Sequence, residues 1–215
     1  MKGDVKRMYD DCRPLRRWSD ALLVMVMVSM LLDVFALICS GEGVSSWADA
    51  VSTVSETVFL LSVSGLVLVF NGCPGVCRGV RVQCWVTAVL LWFSVLLVRV
   101  PMLMGEEFLM GAGMPISYVS MFLSTLWLVS LFAMFGVVSV KHAVRGFRTS
   151  LMGMLSMLAF VLLGVVLLLL TVLFEDLGSW IYAAWTVVAA LSVMPFCCLR
   201  RLVYKFTNEE NDNVI

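Results

Sequence analysis

Long apolar blocks alternate with short polar joints along the whole chain. The blocks run over 19–40, 51–71, 83–103, 116–140, 150–174 and 179–198. Each is close to the ~20 residues that cross a ~30 Å hydrocarbon layer as a helix. Strands of a transmembrane barrel would be about half as long and polar at every second position. The stretch VLLGVVLLLLTVLF, Val161 to Phe174, has no such alternation. The pattern therefore predicts an all-α integral membrane protein, a bundle of six transmembrane helices. Residues 1–18 read as a basic tail, 19–198 as the transmembrane domain and 199–215 as a polar tail.

Composition agrees: 61% of residues are hydrophobic and 14% charged, against about 45–50% and about 25% in soluble domains. The formal net charge is zero, but its distribution is lopsided. Lys2, Lys6, Arg7, Arg13, Arg16 and Arg17 precede the first block. Arg78 and Arg81 flank the second joint, Lys141, Arg145 and Arg148 the fourth, and Arg200, Arg201 and Lys205 follow the last block. The first, third and fifth joints carry Glu42, Asp49, Glu106, Glu107, Glu175 and Asp176 and no lysine or arginine. Short basic connections stay on the cytoplasmic side, so both termini are expected there, with an even number of crossings. The first block exceeds the 7–15 apolar residues of a signal peptide, which favours a retained helix.

No joint is long enough to fold alone, so function is expected among the helices or with partners. The longest outer joint, Pro101 to Ser117, mixes acids, glycines and apolar residues. It reads as an irregular connection, with Pro101 ending or kinking the third helix because it lacks an N–H to donate. The polar stretch from Thr207 to Ile215 is expected to be disordered.

The sequence has one histidine, His142, and no nucleophile beside it in the same joint to make a catalytic pair. There is no phosphate-binding glycine loop and no HExxH. A non-enzymatic protein without a cofactor and without nucleic-acid partners is expected. Cys73 and Cys77, in CPGVC, are weak metal-ligand candidates. They form one pair where structural zinc sites use two, so no metal is expected. Ser62, Ser64 and Gly65 read as small residues that let helices approach closely.

Three ionisable residues fall inside the blocks: Asp33 in the first, Glu56 in the second and Arg99 in the third. Counting from the block ends at ~1.5 Å per residue, all three lie about 6–11 Å below the outer boundary. A charge at a helix centre costs about 2.5–3.5 kcal/mol on insertion scales, so pairing is favoured. Ser29 lies one turn before Asp33 and Ser52 one turn before Glu56. Ser117, Ser120 and Ser124 add a polar stripe on the fourth helix. The expected ion- or solute-binding set is Asp33, Glu56, Arg99, Ser29, Ser52, Ser120 and Ser124.

Two functional readings stay open. In one, two acids against one base leave a surplus negative charge, and the site binds a small solute, proton or cation in a transport-type component. In the other, the charges fix helix packing or a partner's span in a structural or assembly subunit. The lipid bilayer is the expected partner, with other membrane subunits or a second copy open. Short tails and the lack of a glycosylation sequon in the outer joints favour a bacterial cytoplasmic membrane over a viral or eukaryotic one.

Overall fold

The computed structural model describes residues 2–40, 45–104, 106–173 and 180–207, with side chains placed over 12–36, 50–97, 119, 122–167, 169–170 and most of 184–207. The described chain forms six α-helices: α1 (Lys2–Ser40), α2 (Ser45–Asn71), α3 (Arg78–Met104), α4 (Glu106–Lys141), α5 (Ala143–Leu173) and α6 (Trp180–Thr207). All six contain a stretch long and apolar enough to cross a membrane. A helix satisfies its backbone within one segment, which hydrocarbon demands.

Successive helices pack side by side, α6 closes onto α1, and α2 also reaches α6 across the bundle. Arg16 and Asp20 of α1 lie against the last turns of α6, so these segments meet at one end of the bundle, here the terminal end. Arg16 donates from Nε to Thr207 Oγ1 at 2.9 Å and from Nη2 to the Thr207 carbonyl at 2.7 Å. Asp20 accepts from Arg200 Nε at 2.5 Å and from the Tyr204 hydroxyl at 2.7 Å. The Arg200 guanidinium also lies 4.8 Å from the Tyr204 ring centre.

Two tight joints shape this end. Between α2 and α3, Gly72 N–H donates to the Leu68 carbonyl and Cys73 N–H to the Phe70 carbonyl, both at 3.1 Å. Gly75 then takes φ +77°, a left-handed conformation that glycine adopts without a Cβ clash. Between α4 and α5, His142 alone interrupts the helices, and its carbonyl accepts from Arg145 and Gly146 N–H.

The tightest core fills the terminal half. Leu66, Val67 and Phe70 of α2, Val80 of α3, Met134, Phe135 and Val138 of α4, and Leu199, Leu202 and Val203 of α6 are fully buried. Phe70 and Phe206 meet edge to face at 5.5 Å. Small residues make the approach possible, as lipid tails offer no hydrophobic drive for helices to associate. Gly65 of α2 lies against Leu22 of α1, and Gly153 of α5 lies against the Phe135 ring of α4. Ser62 and Ser64 are buried, and Trp92 Nε1 donates to Ser64 Oγ at 2.6 Å.

Two expectations need correction. The Pro101–Ser117 segment is helical apart from Gly105, which lies outside the described residues: α3 runs to Met104, past Pro101, and α4 starts at Glu106. Transmembrane helices tolerate proline, and the segment's Met, Leu, Ala and Glu are good helix formers. Glu106 and Glu107 also lie at the favourable N-terminal end of α4's dipole. The helices likewise outrun the apolar blocks at the terminal end, through the segment before residue 19 and through Arg200 to Thr207. Residues 208–215, expected to be disordered, lie outside the described residues.

A Cβ on Gly153 would stand 2.9 Å from Phe135 Cε1 and Cζ. Gly153→Ala should therefore destabilise the bundle by about 1–3 kcal/mol, the usual cost of overpacking. Phe135→Leu in the same chain should recover part of the loss. Unfolding midpoints in detergent micelles test this; an unchanged midpoint for Gly153→Ala would mean α4 and α5 are not so close.

Candidate functional site

In the half away from the Arg16–Thr207 contact, α1 to α4 line an open-sided chamber of about 290 Å³, in which Asp33 and Glu56 are exposed. Its polar walls follow from helical spacing. Ser29 and Asp33 of α1, and Ser52 and Glu56 of α2, are each four residues apart and so share a face. Ser55 and Ser52 likewise lie three apart on α2. Ser94 of α3 and Ser124 of α4 complete the polar lining, with Met30, Phe59, Leu60 and Trp127 as its apolar parts.

The hydroxyl donors are largely committed. Ser52 Oγ donates to Asp33 Oδ1 at 2.7 Å, tying α2 to the α1 carboxylate. Ser55 Oγ donates to the Ser29 carbonyl, a second link between these helices. Ser29 donates to the Val26 carbonyl and Ser94 to the Leu90 carbonyl, each at 2.9 Å. A hydroxyl has one proton and two lone pairs, so these four serines keep mainly acceptor capacity. With two carboxylates beside them, the chamber is rich in acceptors and suits a cation.

Five residues expected from sequence therefore share this chamber: Asp33, Glu56, Ser29, Ser52 and Ser124. Arg99 belongs to α3 and Ser120 to α4, but their side chains lie outside the described residues, as does that of Ser117. The structure adds Ser55, Ser94, Phe59 and Trp127. Ser55 was legible as the next polar residue one turn from Ser52; Ser94 carried no distinguishing pattern.

A second chamber of about 190 Å³ adjoins the first toward the middle of the bundle. Met30, Phe59 and Trp127 line both. Leu128 and Leu131 of α4, Met157 and Phe160 of α5, and Pro195 and Phe196 of α6 complete its apolar wall. The hydroxyl of Ser192, also in its lining, donates to Met30 Sδ at 3.1 Å. Phe59 meets Phe196 edge to face at 5.6 Å.

Cys73 and Cys77 lie in the joint between α2 and α3 at the terminal end. Among the described residues no group of three or more His, Cys, Asp or Glu could hold a metal ion. Cys73 is buried, with its thiol toward the Val69 carbonyl at 3.5 Å. Burial, with Cys12 nearby, pushes that thiol up to about 12, whereas metal ligation needs the thiolate. His142 Nε2 instead accepts the Cys77 N–H at 3.3 Å, and its ring meets Phe206 at 4.9 Å. His142 thus ties the α2–α3 joint to α4 and α6.

Comparison with protein-family models, with characterised proteins and with solved structures finds no match for this chain.

Burial, with neighbouring Arg145 adding to it, holds the His142 pKa below the ordinary histidine value of 6.5. The folded state therefore binds this proton less readily than the unfolded chain. The stability from neutral His142 is fully present above pH 6.5 and is lost as pH falls toward its folded value. The wild-type unfolding midpoint should fall between pH 7.5 and 5 by more than that of His142→Gln. Identical pH profiles would contradict the assignment.

Proposed function

We propose that the protein is a non-enzymatic, transport-type membrane component that binds a small cation, proton or cationic solute in the Asp33–Glu56 chamber. The supporting observation is that both carboxylates and four serines with committed protons line one chamber. Even with Arg99 assigned to the site, two acids face one base, and a cation neutralises the remainder. Both carboxylates are exposed in the chamber, so a cation entering it meets them directly.

The distribution of lysine and arginine supports a topology with both chain ends in the cytoplasm. The chamber lies in the half of the bundle away from those ends, so on this topology it belongs to the outer half of the membrane. A cation would meet Asp33 and Glu56 from the exterior. The terminal half, with its fully buried core, supplies the rigid base and separates the chamber from the cytoplasmic surface. A bacterial cytoplasmic membrane suits this arrangement.

Asp33→Asn and Glu56→Gln separate this reading from a purely structural one. In liposomes, both variants should fold to wild-type yield while cation or proton uptake falls by about tenfold or more, as expected when a charged ligand's counter-charge is removed. If instead each variant lowers the yield of folded protein and adding Arg99→Gln restores it, the charges serve helix assembly.

A further inference from the structure

We infer that the ligand of the acidic chamber is an organic ammonium ion with an apolar arm, whose charged end lies by Asp33 and Glu56 and whose arm occupies the second chamber. This inference rests on the cation-binding reading proposed above and specifies its ligand class.

The first reason is continuity. Met30, Phe59 and Trp127 line both chambers, so the two adjoin across these side chains. A ligand reaching past them touches carboxylates at one end and, apart from Ser192, apolar groups at the other. The two volumes, about 290 and about 190 Å³, together fall within the ~300–1,000 Å³ of small-molecule sites. A bare proton or a small inorganic ion would use only the acidic part.

The second reason is the chemistry of the walls. Hard inorganic cations favour oxygen ligands held close together, which the largely apolar second chamber does not offer. Aromatic rings beside carboxylates suit an ammonium, because a ring's π face attracts a cation electrostatically. Trp127 is buried and Phe59 packs on Phe196, so the aromatic wall is held in place. Leu128, Leu131, Met157 and Phe160 offer an arm only dispersion and hydrophobic contact. The Ser192 hydroxyl already donates to Met30 Sδ, leaving the second chamber poor in donors for a polar arm.

Calorimetric titration of the full chain in lipid nanodiscs tests this, with empty nanodiscs subtracted to remove partition into lipid. The probes are benzyltriethylammonium, which has an apolar arm, and tetramethylammonium, which has none. Wild type should bind the benzyl compound at least about tenfold tighter, from burial of the arm. Met157→Trp and Ser192→Leu each fill the second chamber, from α5 and α6 respectively. Either variant should reduce that preference to about twofold or less by removing the buried area. Two filling variants from different helices guard against one that fails to fold.

Equal affinities in wild type, or a preference that survives in both filled variants, would overturn the inference. Tetramethylammonium binding that Asp33→Asn abolishes would then still support the acidic chamber as a cation site. Failure of wild type to bind either probe would overturn both.

Discussion

Hydrocarbon offers no hydrogen-bond partners, and that scarcity organises this bundle. A polar side chain away from water gains by meeting another polar group of the protein, and several of the polar residues here lie where helices touch. Gln83 of α3 donates to the Ser130 carbonyl at 3.0 Å and to Ser130 Oγ at 2.8 Å, and Thr87 meets the same hydroxyl at 2.7 Å. These bonds join α3 to α4 as Trp92–Ser64 joins α3 to α2. Between apolar helices, interhelical hydrogen bonds of this kind commonly contribute about 0.6–2 kcal/mol each. Packing of small residues against large ones, as at Gly153 and Phe135, supplies complementarity that hydrogen bonds do not.

The same constraint divides the bundle along its length. At the terminal end, α2, α3, α4 and α6 interlock through fully buried aliphatic and aromatic side chains. Asp20, Arg200 and Tyr204 tie α1 to α6 at the rim, and His142 closes the loop between α4 and α5 over Phe206. Toward the opposite end the helices surround two chambers instead. A carboxylate can sit there because Ser52 supplies a proton donor to Asp33 and because Asp33 and Glu56 stay exposed. A closed half that fixes helix positions and an open half that presents acceptors form a physically coherent pair.

Much of this was legible in the sequence, and the failures have identifiable causes. Hydropathy located all six helices that are long and apolar enough to cross a membrane, because an apolar block of ~20 residues has few other uses. It misjudged helix ends because it counts only hydrocarbon-facing residues. The terminal extension of α6 is held by partners on α1, such as Asp20, 180 positions from Arg200. Pro101 was read as an end or a kink, and α3 continues past it to Met104, as a membrane helix can carry proline. Equal depth and four-residue spacing grouped Asp33, Glu56, Ser29, Ser52 and Ser124, and the structure brings these five to one chamber. The apolar chamber had no signal, since a space between Leu, Met and Phe side chains looks in sequence like any packed core.

The central claim is that Asp33 and Glu56 themselves receive a cation. Infrared difference spectra of the reconstituted protein, recorded on adding tetramethylammonium, report carboxylate stretching directly. A change in the carboxylate bands that is diminished in Asp33→Asn and in Glu56→Gln is predicted. Bands that do not change in wild type, or changes that persist undiminished in both variants, would contradict the claim.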